Sequence, residues 1–426
     1  MIPVYMGLTS SLINKFTAID WAGMDTFSPE DIDRMYRNVF RHGEEAIHYF
    51  NRDIYGVDTG RDGIYASRAE YEYVLDELGE DFLEDILEVF NRFLQVERRR
   101  ISSLALNISP STDVYVSMAP KPYRRVGVLL PYGKPFMGLK VIASAYAAGV
   151  KELYISTPPL YRDGLPDPVI LGLTFKLNYG YIIKGFGPPA SSLMTYGSRN
   201  IPRCERIIYI GDGLYSLAKY SMEHIPSMYV NEAKRLGILI DSTANLDSVV
   251  MDLYSWFEAR PNAKACIVAY KMRVVEELLT IEDEKGGIIF FKNLRDRVRG
   301  NTFIVVVDSW DEAISVLNNL SPDYLHIEVE RDVRYRVIDY IRNVNIFSVG
   351  DTSSYPYLRS MGGFSDLINI LGGTGIHSSI DYVRWVTYVR SGPDALIKDY
   401  ELAGRIYDKF SLPGHYYALK TRIDNL

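Results

Sequence analysis

Residues 125–159 hold the pattern that most narrows the folds open to this chain. The stretch begins with an apolar run from Val126 to Leu130, whose length and β-branched content are typical of a buried strand. A turn at Pro131 to Gly133 follows, and small and apolar residues then recur at helical spacing from Pro135 to Ala148. Leu153 to Ser156 is the next strand candidate. This strand–turn–helix–strand order builds parallel sheets with helices on their faces, so it predicts an α/β fold.

A second α/β block follows later in the chain. Its strand and helix candidates alternate in the order 265–269, 271–284, 302–308, 310–320 and 324–328. Two blocks of similar content predict two related, Rossmann-like α/β domains that face a shared cleft. Ligands of parallel sheets bind at the carboxyl ends of the strands, so the Pro131–Tyr132–Gly133 turn is where a ligand is expected.

Composition limits the function classes open to the chain. Its 426 residues are enough for two or more domains with sizeable cores. A net charge of −7 argues against nucleic-acid binding over most of the surface. Cys204 and Cys266 form no disulfide framework, and no apolar run reaches the length of a membrane span, so a cytoplasmic protein is expected. Gln95 is the only glutamine, which suits a thermophile.

Several stretches carry a resemblance to a known family. In the first α/β unit, Val126–Gly127, Pro131, Gly133, Ala148 to Glu152 and Thr157 to Pro159 match a pattern of histidinol dehydrogenases. Further stretches that resemble the family are 28–56, 194–202, 229–235 and 237–241. The resemblance spans roughly residues 30 to 425.

The resemblance implies a domain order and a homodimer. It gives a first α/β domain from 31–125 and 244–380, and an inserted nucleotide-side domain over 126–243. The mixed, aromatic residues 1–30 are expected to form a small N-terminal arm. Residues 381–426 would form a helical dimerisation tail that reaches over to a second subunit.

The resemblance also implies a chemistry, which the sequence does not keep. Family members oxidise an amino alcohol to the acid with two NAD molecules, and a zinc ion positions the substrate. The family's Gln and His zinc ligands fall on Trp256 and Ala259, and its Asp ligand falls on Arg359. A C-terminal His ligand is kept as His415. Zinc needs three or four N, O or S ligands, so the sequence predicts no zinc site.

The proton-handling residues implied by the resemblance are replaced as well. The family's Glu–His pair falls on Asp323 and Tyr324, and a second family histidine falls on Asp366. A phenol titrates near pKa ~10, whereas an imidazole titrates near ~6.5. Because general catalysis works best when the pKa lies near the operating pH, Tyr324 cannot simply take over the role of the histidine.

The candidate nucleotide-binding turns depart from the family in three places. Tyr132 adds a phenol between Pro131 and Gly133, where the backbone should approach the phosphates. Pro189 replaces an amide side chain, and prolines remove backbone N–H donors. The third turn ends at Gly211–Asp212, where an acid suits a ribose hydroxyl better than a pyrophosphate. NAD binding therefore stays open.

Framework residues persist around each site, while the side chains that carry chemistry are replaced. We therefore expect a histidinol dehydrogenase-like protein that has lost the family reaction and keeps a cleft for a small molecule or a protein partner. The alternative is a divergent NAD(P)-dependent alcohol or aldehyde oxidoreductase without zinc, built on Asp323, Tyr324, Arg359 and His415. The third hypothesis is an authentic histidinol dehydrogenase.

Overall fold

A computed structural model describes residues 1–59, 63–260, 262–288, 291–350, 352–373 and 375–426. The protein has a mixed α/β fold, as the sequence predicts. No helix in these ranges is long and apolar enough to cross a membrane.

Strands and helices alternate through most of the chain. The strands are β1 (Val4–Tyr5), β2 (Leu106–Ser111), β3 (Val114–Pro122), β4 (Arg125–Leu129), β5 (Glu152–Thr157), β6 (Tyr181–Lys184), β7 (Arg206–Ile210), β8 (Ser227–Glu232), β9 (Arg235–Ile240), β10 (Lys264–Tyr270), β11 (Thr302–Val307), β12 (Tyr324–Glu328), β13 (Ile346–Val349), β14 (Leu367–Leu371) and β15 (Val383–Ser391). The helices are α1 (Ser10–Thr17), α2 (Pro29–His42), α3 (Glu44–Tyr55), α4 (Arg68–Leu78), α5 (Glu80–Ser102), α6 (Pro135–Ala148), α7 (Pro168–Leu177), α8 (Pro188–Tyr196), α9 (Tyr215–Ser221), α10 (Leu246–Ala259), α11 (Met272–Gly286), α12 (Lys292–Asn301), α13 (Trp310–Leu320), α14 (Arg331–Tyr340), α15 (Tyr355–Met361), α16 (Pro393–Lys409) and α17 (Pro413–Ile423).

The first sheet has the strand order β14-β8-β7-β4-β5-β6 and is parallel except for β14. The predicted strand–turn–helix–strand unit lies at its centre as β4, α6 and β5. Gly149 ends α6 at a φ of 87°, a left-handed conformation that favours glycine. The chain runs from β4 to β5 and β6 on one side, then returns to β7 on the other. The strand ends of β4 and β7 therefore border the crevice where such a sheet binds ligands.

The second sheet is parallel throughout, with the order β1-β11-β10-β9-β12-β13. The predicted helices over 271–284 and 310–320 are α11 and α13. The N-terminal residues extend this sheet, because Val4–Tyr5 pairs with β11.

Apolar side chains bury both faces of each large sheet. On the first sheet, α5 and α6 pack on one face through residues such as Phe90 and Leu139, and α2, α3 and α8 pack on the other through residues such as Ile32 and Ile47. On the second sheet, α10 and α11 cover one face, and α1 and α13 cover the other. Two-sided burial explains why the strands are continuous apolar runs.

A small antiparallel sheet of β2, β3 and β15 follows a different pattern, because much of it faces solvent. The chain then ends in a hairpin of the two helices α16 and α17.

Sheet membership differs in two places from the predicted domain division. Arg235–Ile240, expected at the end of the inserted segment 126–243, is an interior strand of the second sheet. Leu367–Leu371, expected within 244–380, pairs with β8 in the first sheet. The reason is that strand pairing depends on long-range register, which local apolar patterns do not encode. Sheet membership alone does not define folding units, so the predicted boundaries stay a prediction.

Candidate functional site

Five charged side chains meet between the two large sheets, and we call them the ion cluster. Its members are Lys140, Glu232, Arg260, Arg359 and Asp366. Four of them are almost fully buried, and Arg359 keeps 18% of its side chain exposed. Charged side chains are rarely buried without partners, so this cluster is the strongest candidate for a site in the cleft.

Secondary structure from both halves of the cleft positions the ion cluster. Lys140 is the single charge in the apolar helix α6. Glu232 ends β8, and the antiparallel pairing of β8 with β14 places it opposite Leu367, beside Asp366. From the other half, Arg260 follows the last residue of α10, and Arg359 lies in the last turn of α15.

Asp366 is the anion on which the cations converge. Lys140 Nζ contacts Asp366 Oδ1, and Arg260 Nη2 lies 2.6 Å from Asp366 Oδ2. Arg359 Nε is 3.5 Å from the same oxygen, and Arg359 Nη2 contacts Glu232 Oε1. The cleft is therefore bridged by ion pairs that join α6 and the first sheet to α10 and α15.

These contacts keep both carboxyl groups ionised. Burial by itself raises the pKa of Asp366, but Lys140, Arg260 and Arg359 outweigh it and hold that pKa well below its usual range. Burial also opposes ionisation of Glu232, and Arg260 and Arg359 again lower its pKa. A group that is ionised at every ordinary pH cannot exchange protons with a substrate, so neither carboxyl suits general acid–base work.

Aromatic rings enclose Arg260. Its Cζ lies 4.4 Å from the centre of the Trp256 ring and 5.0 Å from the centre of the Tyr355 ring. The Tyr355 hydroxyl donates to Asp366 Oδ2 at 3.4 Å. Trp256 stands where the resemblance puts a zinc ligand, so that position now stacks on a cation.

The structure separates the predicted pair Asp323 and Tyr324. Asp323 accepts hydrogen bonds from the backbone N–H groups of Lys234 and Arg235, both at 3.0 Å, and pairs with the Arg235 side chain. It therefore holds the start of β9 in place. Tyr324 is fully buried beside Tyr355, at 5.2 Å between ring centres, and burial raises its pKa.

Of the other predicted catalytic residues, Arg359 and Asp366 belong to the ion cluster, while His415 lies apart from it. His415 is exposed on α17 and packs against Tyr407, with ring centres 5.5 Å apart. Within the single chain, this contact of His415 therefore lies inside the C-terminal hairpin.

The residues in the cleft do not fit a zinc ion. Among the described residues, no group of three or more His, Cys, Asp or Glu side chains is placed to hold a metal. The two carboxylates of the ion cluster already pair with Arg260 and Arg359, and guanidinium groups would repel a divalent cation.

The predicted nucleotide-binding turns are occupied by contacts within the chain. The Gly133 N–H donates to Asp167 Oδ2 at 3.0 Å, and the Gly211 N–H donates to the Val230 carbonyl at 3.1 Å. Pro131 packs directly against Gly211, and Tyr132 is half-buried. Asp212 pairs with Lys234 at 3.0 Å and accepts a hydrogen bond from Asn231 at 2.8 Å.

Residues 25–27, which we call the arm segment, cover this edge of the first sheet. The Ser216 N–H, at the start of α9, donates to both oxygens of Asp25 at 3.0 and 3.2 Å. The Thr26 N–H donates to the Gly213 carbonyl at 3.2 Å. A Cβ at Gly187 would stand 2.5 Å from Phe27 Cζ. These contacts fill the turns that a dinucleotide phosphate would approach.

Helix α8 offers few donors at the same edge. It begins at Pro188–Pro189, both buried, and proline has no backbone N–H. With the arm segment in place, the residues present do not fit the phosphates of NAD.

Sequence reasoning predicted an N-terminal arm over 1–30 but not that residues 25–27 cover the edge of the first sheet. It also missed three members of the ion cluster, Lys140, Glu232 and Arg260. Two of the cluster residues carry a signal in the sequence. Lys140 is the only charge in an apolar helix, and Glu232 ends an apolar strand within a stretch that matches the family. A charge in a segment that must be buried indicates a buried partner.

The fold defines an α/β protein with two large, mostly parallel sheets, and a buried cluster of charges lies between them. The sequence pattern of the histidinol dehydrogenase family matches residues 25–423. The chain is similar to the histidinol dehydrogenase of Methanopyrus kandleri, with 24% identity over 92% of this chain and 93% of the relative. It is 22% identical to that of Lactococcus lactis, over 99% of each chain.

The solved structure of histidinol dehydrogenase from Elizabethkingia anophelis has the same fold. It matches with a TM-score of 0.87 and 16% identity, over 100% of this chain and 98% of that one. Because the family pattern spans nearly the whole chain, the chain belongs to the histidinol dehydrogenase family.

Proposed function

We propose that this protein keeps the histidinol dehydrogenase scaffold without the family's zinc-dependent oxidation, and that it uses the cleft to bind another ligand or partner. The observation that carries the proposal is the ion cluster. Where the family resemblance calls for metal ligands, Arg359 and the Trp256–Arg260 stack stand instead. A site built on fixed cations repels both a metal ion and a cationic amino alcohol.

The proton-transfer positions support the same proposal. Asp323 is engaged by two backbone N–H groups and by Arg235, and Tyr324 is a buried phenol with a raised pKa. The Asp323 oxygens are thus occupied within the chain, and the Tyr324 phenol does not exchange a proton with a substrate near neutral pH.

The alternative, an NAD(P)-dependent oxidoreductase without zinc, draws less support from the contacts. It would combine Tyr324, Asp323, Arg359 and His415, but Asp323 is engaged at the start of β9, and within the single chain His415 contacts Tyr407 on the C-terminal hairpin. A cysteine nucleophile is not favoured either, because both Cys204 and Cys266 are buried, and burial raises the pKa of the Cys204 thiol to about 12.

The decisive experiment is an assay of the purified protein with histidinol, NAD and added zinc, with a genuine histidinol dehydrogenase run in parallel. We expect no formation of NADH above the enzyme-free rate and no zinc retained after gel filtration. Steady NADH formation that a chelator abolishes would establish the authentic enzyme. NADH formation that survives the chelator would establish the zinc-independent alternative.

We also propose a homodimer in which the C-terminal tail packs on the partner. Ala395 is the only buried residue of α16 and α17, both of which lie wholly in the described residues. Large apolar side chains of the hairpin are exposed instead: Ile397, Leu402, Ile406, Phe410 and Tyr417. An exposed apolar surface of this kind marks a contact site, and a second copy supplies a matching surface by symmetry. Light scattering should give twice the chain mass, and Phe410→Glu should shift it toward one chain mass.

A further inference from the structure

We infer that the cleft binds a small carboxylate-bearing anion, held by Arg260, Arg359 and the neighbouring Lys134. This inference rests on the proposed function, since it names the class of ligand that would replace the family's metal and substrate. The charge count of the cleft, the free donors on buried side chains and the exposure of Lys134 support it.

Positive charge exceeds negative charge in the cleft. Four cations, Lys134, Lys140, Arg260 and Arg359, surround two carboxylates, Glu232 and Asp366. The excess is two positive charges. Asp252, the next carboxylate, is engaged at the start of α15 by Ser354 and by the Tyr355 N–H, and burial raises its pKa. One of these charges belongs to the buried ion cluster, and the other is on the partly exposed Lys134 at its border. An uncompensated charge in a dry interior is strongly unfavourable, so the cleft favours an incoming anion.

Buried donors without acceptors lie in the same place. Within the described part of the chain, Arg260 Nε and Nη1 and the indole Nε1 of Trp256 have no hydrogen-bond partner. Both side chains are almost fully buried, at 1% and 0% exposed. Buried polar atoms are nearly always satisfied, and an unsatisfied one calls for a water or a ligand. Since the orphaned atoms are all donors, the partner they call for is an acceptor.

The exposed side of the cluster offers a route for the ligand. Lys134, the residue before α6, has 38% of its side chain exposed. Its Nζ lies 3.8 Å from Glu232 Oε2, beyond hydrogen-bond distance, and donates to the Ala259 carbonyl only at 3.4 Å. Lys134 can therefore turn toward an incoming anion, and the partly exposed Arg359 lies on the same carboxylate.

Planar geometry selects carboxylate among the small anions. A guanidinium group is a planar fork that matches a carboxylate. Arg260 uses only Nη2 on Asp366, so its Nε and Nη1 are left for a second carboxylate. The flat rings of Trp256 and Tyr355 restrict access to the guanidinium plane. A dicarboxylate would also neutralise both excess charges.

Succinate titration of the intact protein tests the inference, with ionic strength held constant by sodium chloride. We expect succinate to raise the melting temperature saturably, while neutral succinamide has no effect, because ligands of the folded state raise it. Lys134→Met should weaken succinate binding about tenfold, a typical effect for a lost charged contact. Lys151→Met, at an exposed lysine, is the matched control and should bind like the wild type.

Three results would overturn the inference: equal responses to succinate and to chloride, equal affinities in the two lysine variants, or tighter binding of inorganic phosphate than of succinate. The titration contains neither zinc nor NAD. A null result therefore removes the anion site alone, whereas oxidation of histidinol in the separate assay removes the proposed function.

Discussion

The cleft and the nucleotide edge of the first sheet are closed by different physical means. In the cleft, buried ion pairs lie between the two sheets. At the edge, the chain lays its own arm segment over turns that keep their glycines. The ion pairs determine which ligand charges the cleft attracts, whereas the arm segment only covers the edge of the first sheet. No single substitution in the cleft should therefore create a metal site, while the edge should open when the arm segment is loosened.

The largest effect is expected when the charge at the centre of the ion cluster is removed, which tests whether the cluster holds the two sheets together. Asp366→Asn leaves Lys140 and Arg260 buried without their anion, which typically costs about 3–5 kcal/mol. We expect a loss of this size in the free energy of unfolding, measured by urea denaturation. Glu72→Ala, which breaks an exposed pair with Arg68, is the control and should cost less than about 1 kcal/mol. Similar small losses in both variants would show that the cluster does not bind the sheets together.

Measuring the free energy of unfolding at several pH values tests whether the carboxyl groups of the ion cluster stay ionised. Its carboxyl groups have lowered pKa values, so acid sensitivity near pH 5 should come from elsewhere. Burial lowers the pKa of His377 from 6.5 to about 3. The folded protein therefore binds this proton less readily than the unfolded chain, and stability is lost as the pH falls below 6.5.

For His377 we expect a loss of about 2 kcal/mol between pH 7 and pH 5, at roughly 1.4 kcal/mol per pH unit. His377→Asn should remove this component from the urea-derived stability profile. Asp381, whose pKa burial raises to about 6, acts in the opposite sense, so the difference between wild type and variant is the quantity to measure. If stability changed with pH in the same way in the wild type and in His377→Asn, His377 would not be the source of the acid sensitivity.

Loosening the arm segment tests the other half of the contrast. Phe27→Ala removes the half-buried ring against Gly187 and should cost about 1–2 kcal/mol, less than for a fully buried phenylalanine. It should also increase the thermal shift produced by NAD. Phe82→Ala, at an exposed ring on α5, should leave the NAD response unchanged. If NAD shifted the melting temperature equally in the wild type, Phe27→Ala and Phe82→Ala, the arm segment would not block NAD binding at this edge.

The smallest effect is expected at the surviving family histidine. His415 is exposed on the C-terminal hairpin, so His415→Ala should change the unfolding free energy by less than about 0.5 kcal/mol. It should also leave the zinc content unchanged. If the wild type bound zinc and this variant did not, His415 would be a metal ligand, and the proposed function would be wrong.

The sequence by itself determined the α/β class, the central β4–α6–β5 unit and the family. These depend on local apolar periodicity, turn residues such as Gly149 and motifs in which neighbours along the chain suffice. It also singled out Arg359 and Asp366 as candidate site residues, and the structure brings both into the ion cluster.

Only the tertiary structure decided what those residues build. Lys140 and Asp366 lie 226 positions apart, and Arg260 and Asp366 lie 106 apart. Their charges become one cluster through the register of β14 on β8 and the packing of α10 and α15. The arm segment reaches Gly213 in the same way, through folding rather than through any motif. Electrostatic energy depends on distance and burial, and a linear chain specifies neither until its sheets have paired.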